Sequence, residues 1–127
     1  MRVHVETVEQ VDDQVLVSFT CSVGQGRAVW RASYEPEEAH DYEAEFSVQD
    51  PLKDWSLKAG VVPSELALRG TNMRFTGVVD EVDEDGVVYV RLARDCLIML
   101  DGVDVEVGSS ATFEVPVQQV ELFPFSA

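Results

Sequence analysis

Residues 73–92, MRFTGVVDEVDEDGVVYVRL, read as a long β-hairpin with an acidic tip. Two alternating apolar runs flank Asp83-Glu84-Asp85-Gly86, and an Asp-Gly pair in that setting marks a tight turn, because glycine accepts the positive φ the turn requires. On the second run Val88, Val90 and Leu92 point one way while Tyr89 and Arg91 point the other. Five of the six residues from Asp80 to Asp85 are acidic.

The same period of two recurs upstream. Val3 and Val5 alternate with His4 and Glu6, then Val15, Val17, Phe19 and Cys21 share a face, then Ala28, Trp30, Ala32 and Tyr34. Gly24-Gln25-Gly26 reads as a turn between the second and third runs. Residues 35–41 are too polar for a core element and contain Pro36, so they are expected as an exposed loop. Tyr42, Ala44, Phe46 and Val48 resume the alternation until Asp50-Pro51.

From 51 to 70 the period of two is lost, and Pro63-Ser64-Glu65 before Leu66 and Leu68 allows one short helix near 63–69. Beyond the hairpin, Cys96–Leu100 is a continuous apolar run, expected as a strand buried on both faces. Short strands at 104–107, 113–117 and 120–123 complete the chain. The expectation is an all-β single domain spanning 1–127, a barrel or sandwich of about nine mostly antiparallel strands with at most that one helix. In outline 72–125, with a long first strand bent near Gly77, resembles a five-stranded OB-like barrel, a fold that by itself implies no function.

Charge is the strongest functional signal. Twenty-four acidic against nine basic residues give a formal net charge of −15. That field repels nucleic acid and anionic membranes and favours a basic protein partner. The acids are concentrated: Glu35, Glu37, Glu38, Asp41, Glu43 and Glu45 in one stretch, and Asp80, Glu81, Asp83, Glu84 and Asp85 in the other. Carboxylates accept bidentate arginine contacts, and Trp30, Tyr34 and Tyr42 are the aromatic type that anchors interfaces. Glu35, Glu37, Glu38, Asp41, Tyr34, Tyr42, Asp80, Glu81, Asp83, Glu84 and Asp85 are therefore the candidate partner-binding residues, forming one surface if the fold joins the two stretches.

Catalytic and metal chemistry find no motif. His4 and His40 lack the spacing of a transition-metal site, and the 80–85 cluster lacks the ligand positions of an EF-hand. There is no Gly-x-Ser-x-Gly elbow and no phosphate-cradling glycine loop followed by a helix. The expectation is a protein that is not an enzyme and takes no cofactor or metal. Cys21 and Cys96 sit in apolar runs and are expected as reduced, buried thiols. MRVHVETV is no secretory signal, which points to the cytoplasm.

In size, charge and lack of catalytic motifs the chain resembles, at the level of class, the immunity or inhibitor proteins that bacteria keep beside secreted toxins. The resemblance implies an acidic face that covers the basic cleft of a partner such as a nuclease. The alternative is an assembly module that oligomerises through an apolar sheet face or edge, with Phe123-Pro124-Phe125 as a contact.

Overall fold

A computed structural model of the protein describes residues 1–48, 55–58, 63–101 and 105–125. Alternating valines make β1 (Arg2–Val11) a strand with one buried face, and Asp12-Asp13 turns it into β2 (Gln14–Cys21). Ser22-Val23 then forms a two-residue turn into β3 (Gly24–Trp30), so Gly24-Gln25-Gly26 opens a strand where a turn was expected. The loop over 31–39 leads to β4 (His40–Val48).

Two strands fall in the stretch without periodicity, β5 (Trp55–Lys58) and β6 (Glu65–Arg69). The segment that allowed a short helix near 63–69 is thus extended. Its backbone is taken up by a five-residue antiparallel ladder to β7 (Asn72–Val82), which a helix could not make, and Leu66 fills the core. The hairpin partner is β8 (Val87–Ala93), followed by β9 (Cys96–Asp101), β10 (Ser110–Pro116), a 3-10 turn at Val117–Gln119, and β11 (Val120–Pro124). The fold is all-β. Among the described residues there are eleven strands against the expected nine or so, with β5 and β6 lying in the 51–70 stretch. Of the strand expected at 104–107, Asp104 lies outside the described residues and Val105–Val107 lead into a turn.

Closure is achieved by the first four strands and the last. β1 pairs with β2 and β4, β2 with β3, and β11 bridges the gap, antiparallel to β4 and parallel to β3. The result is a five-stranded ring in the order β1-β2-β3-β11-β4. Val3, Val5, Val17, Phe19, Ala28, Trp30, Phe46 and Leu122 are buried on it. The five-stranded outline expected over 72–125 is therefore placed elsewhere in the chain. Within that segment β7 pairs with β6, β10 and β8, β9 pairs with β8, and only β11 joins the ring.

One buried cluster runs through both halves, from Met1 and Val3 to Phe75, Ile98, Phe113 and Leu122. Phe75 and Phe113 stack with centroids 4.9 Å apart. β9 differs from the two-faced burial expected of it, because one face meets the cluster and the other faces water. Cys96, Ile98 and Leu100 are buried, whereas Leu97 and Met99 are 38% and 60% exposed.

Candidate protein-binding surface

The loop between β3 and β4 is held by groups other than its acids. Trp30 ends β3 inside the barrel, and its indole N–H donates to the Tyr34 carbonyl at 2.8 Å. Its ring meets Tyr34 and Tyr42 edge-on, with centroids 5.8 and 4.9 Å away. The Tyr42 hydroxyl accepts from the Glu37 backbone N–H at 2.9 Å, and Ala39 N–H donates to the Val5 carbonyl at 2.8 Å. Pro36 is buried. Aromatic packing and backbone hydrogen bonds thus fix the loop while Glu35, Glu37 and Glu38 face water. Glu37 lies 3.6 Å from His40 Nδ1; among the described residues Glu35 and Glu38 make no ion pair. Tyr34 is exposed and Tyr42 half-buried, so both present surface to solvent, whereas Trp30 is buried beneath them.

Next to this loop, the strands β1, β4 and β11 present one outward face. Strand alternation sends Ala44 and Phe46 inward and Asp41, Glu43 and Glu45 outward. Cross-strand register places His4 beside Asp41 and Arg2 beside Glu43. His4 Nδ1 and Asp41 Oδ1 are 2.6 Å apart, and Arg2 Nε donates to Glu43 at 3.4 Å. On the other flank Phe123 lies opposite Glu45.

The hydrogen bond to His4, aided by the nearby charges of His4, Arg2 and His40, holds the Asp41 carboxyl below its ordinary range against a smaller desolvation effect. A folded-state value below the unfolded one means that the stabilisation is complete above the ordinary carboxylate range and fades as pH falls through the lowered value. Urea titrations of wild type and Asp41→Asn are expected to give stability curves that converge between about pH 5 and pH 2. Curves parallel across that window would show that the pair contributes nothing to folding.

The hairpin tip divides its acids between folding and surface. Asp83 and Val87 close a three-residue loop, with Gly86 at φ 82° where the turn needs a left-handed residue. Asp83 Oδ1 accepts the backbone N–H groups of Asp85 and Val87, each at 2.9 Å, and Oδ2 accepts the Tyr89 hydroxyl at 3.3 Å. Burial and this carboxylate push the Tyr89 phenol up. Asp80 pairs with Arg91 at 3.0 Å. Glu81, Glu84 and Asp85 remain exposed and make no ion pair among the described residues.

Of the second acidic stretch, Asp80 lies at the β4 end through Arg91, whereas the tip stands away from it. At the turn joining β8 to β9, Arg91, Arg94, Asp95, Cys96 and Leu97 share a hollow of about 190 Å³ with Ala44, Glu45 and Phe46. That end of the ribbon therefore touches β4. The acidic tip stands at the other end of seven-residue β8, roughly 20 Å away, with Arg91 and Arg94 in between.

The remaining reactive side chains are quiet. Cys21 and Cys96 are free thiols, one half-buried and one buried, and burial pushes Cys96 up to about 12, so it is not a thiolate at neutral pH. Among the described residues no three His, Cys, Asp or Glu side chains converge as metal ligands, and no helix is long and apolar enough to cross a membrane.

Two features escaped the reading of the sequence. One is Glu121, a carboxylate buried on β11 and paired with Arg31, signalled only by a lone acid inside the apolar run VELF. The other is the adjacency of Phe123 to Glu45, which depends on pairing between strands far apart in the chain. No family model, curated protein or solved structure matches the chain. Fold and surface together define its class: an all-β protein with a closed five-stranded barrel, further strands outside it, and an acid-rich loop fixed across aromatic rings.

Proposed function

We propose that this protein is a non-catalytic acidic binding protein of the immunity or inhibitor type, which acts in the cytoplasm of a bacterium and neutralises a basic protein partner such as a toxin nuclease. The observation that carries the reading is the loop over 31–39: it is fixed by Trp30, Tyr42 and the Val5 carbonyl, and Glu35 and Glu38 on it make no ion pair among the described residues. A surface fixed before binding loses little entropy on association, and the acids then act as steering charges and as acceptors for Lys and Arg. Glu81, Glu84 and Asp85 extend the same field from the hairpin tip, where Asp83 sets the turn and Asp80 is held by Arg91. A second reading, self-assembly through Phe123-Pro124-Phe125, is supported by the exposure of both rings. A net charge of −15 on each copy opposes it.

The test is affinity capture on the immobilised chain from host lysate at low salt, followed by identification of the captured protein and kinetics with it. The expected partner is basic, is released by roughly 0.5 M salt, and associates at least about tenfold more slowly with the triple variant E35K/E37K/E38K. An association rate unchanged in the triple variant would overturn the reading.

A further inference from the structure

The outward face of β4 and β11 pairs each acid with a specific neighbour. Glu43 has Arg2 on its β1 flank, and the Phe125 backbone N–H donates to its carbonyl at 2.8 Å from the β11 side. Glu45 lies directly opposite Phe123 in the antiparallel register and makes no ion pair among the described residues. Side chains directly opposite across a ladder stand about 5 Å apart at Cβ, so the Phe123 ring and the Glu45 carboxylate are immediate neighbours. The register continues with Phe125 alongside Glu43. Phe123 is 41% and Phe125 52% exposed. Two large rings in water, the first directly opposite Glu45, form an apolar strip, while the Glu43 carboxylate is turned to Arg2 and the Met1 ammonium on the β1 side.

That combination selects among cations. A lysine ammonium satisfies the carboxylate as a compact, strongly hydrated point charge. A guanidinium is planar and weakly hydrated, so it lies flat on an exposed ring while its edge donates to a carboxylate next to that ring. A net charge of −15 on each copy opposes a second copy of this chain as occupant and favours a cationic one. We infer that the β4–β11 face is a docking strip for an arginine-bearing surface of a basic protein, with arginine planes on Phe123 and Phe125 and an N–H edge on Glu45, the acid of this face that makes no ion pair among the described residues. The inference rests on the reading of the protein as an acidic binder and adds to it the site and the chemistry of the partner: arginine in preference to lysine. The loop acids over 35–38 attract either cation; the strip discriminates between them.

The probes are fluorescently labelled oligo-arginine and oligo-lysine of equal length, titrated by anisotropy at low salt against the full chain. The wild type is expected to bind oligo-arginine roughly fivefold more tightly than oligo-lysine. Phe123→Ala and Phe125→Ala are expected to remove that preference with little change in lysine binding. Phe125 lies beyond the last residue of β11, so its variant leaves the barrel ladder intact and keeps the test valid if Phe123→Ala disturbs folding. E35K/E37K/E38K is expected to weaken both peptides alike and to preserve their ratio. Equal affinities in the wild type, or a preference that survives both phenylalanine variants, overturn the strip and leave the acidic-binder reading standing. If neither peptide binds, both fall.

Discussion

Gly24→Ala is expected to lower the stability of the fold by about 3 kcal/mol or more, beyond what most single substitutions cost. Two effects combine at this position. Gly24 has φ +146°, a conformation that L side chains rarely adopt, and an added Cβ would lie 1.8 Å from the Leu66 carbonyl oxygen. The obstructing atom belongs to the backbone, so no rotamer change relieves the overlap. Gly24 pairs with Leu66 in the short parallel contact between β3 and β6, where the Leu66 N–H donates to the Val23 carbonyl at 2.9 Å. To make room, that joint between the barrel and the outer strands has to open. Gly70→Ala is the control. Its φ is +63° and nothing lies within 4 Å of an added Cβ, so only the left-handed penalty of about 1–2 kcal/mol applies. Urea unfolding of both variants at unchanged slope measures the difference. A loss at Gly24 no larger than at Gly70 would mean that the two backbones are not held in this close approach.

The same joint shows what could be read in the sequence and what could not. Strand alternation reports which face of a segment is buried, and it identified β1, β2, β4 and the β7–β8 hairpin, whose turn is chosen locally by Asp83 and Gly86. It does not report which strand lies alongside. β6 has only five residues, of which only Leu66 is fully buried, and its extended conformation comes from its ladder to β7. Closure of the barrel depends on a two-residue parallel contact, Glu121 to Val29 and Leu122 to Trp30, between segments about 90 residues apart. Leu97 and Met99 break the assumption that an apolar run is buried on both faces, because β9 covers the core from one side only.

The site follows the same division. Counting carboxylates located both acidic stretches, since charge density is a property of the chain. Which acids the fold consumes is a property of pairing: Asp41 is taken by His4, Glu43 by Arg2, Asp80 by Arg91 and Asp83 by its own turn. The exposed acids that make no ion pair among the described residues are a subset, Glu35, Glu38 and Glu45, with Glu81, Glu84 and Asp85 near the hairpin tip.

Arg31→Ala is expected to be far more damaging than removal of its partner acid. Arg31 stands at the point where β11 closes the ring: its backbone N–H donates to the Leu122 carbonyl at 2.9 Å, and its guanidinium binds the Glu121 carboxylate. The two side chains are unequally placed, at 46% exposure for Arg31 and 5% for Glu121. Truncating the arginine removes the guanidinium that binds this buried carboxylate, a loss of up to roughly 3–5 kcal/mol for a fully enclosed pair. Water entering the space vacated by the half-exposed arginine lowers this to about 2–3 kcal/mol. Truncating the acid strands no buried charge on the arginine side, because the half-exposed Arg31 can swing into water. Glu121→Leu, which keeps the volume and adds apolar contact beside Val29, is expected to change stability by less than about 1 kcal/mol, and R31A/E121L to lie close to E121L alone. Denaturant unfolding of the three variants at neutral pH decides the matter. If E121L costs more than R31A, or the double variant is as unstable as the sum of the two, the buried carboxylate is a net stabiliser of the barrel seam and the expected ordering is overturned.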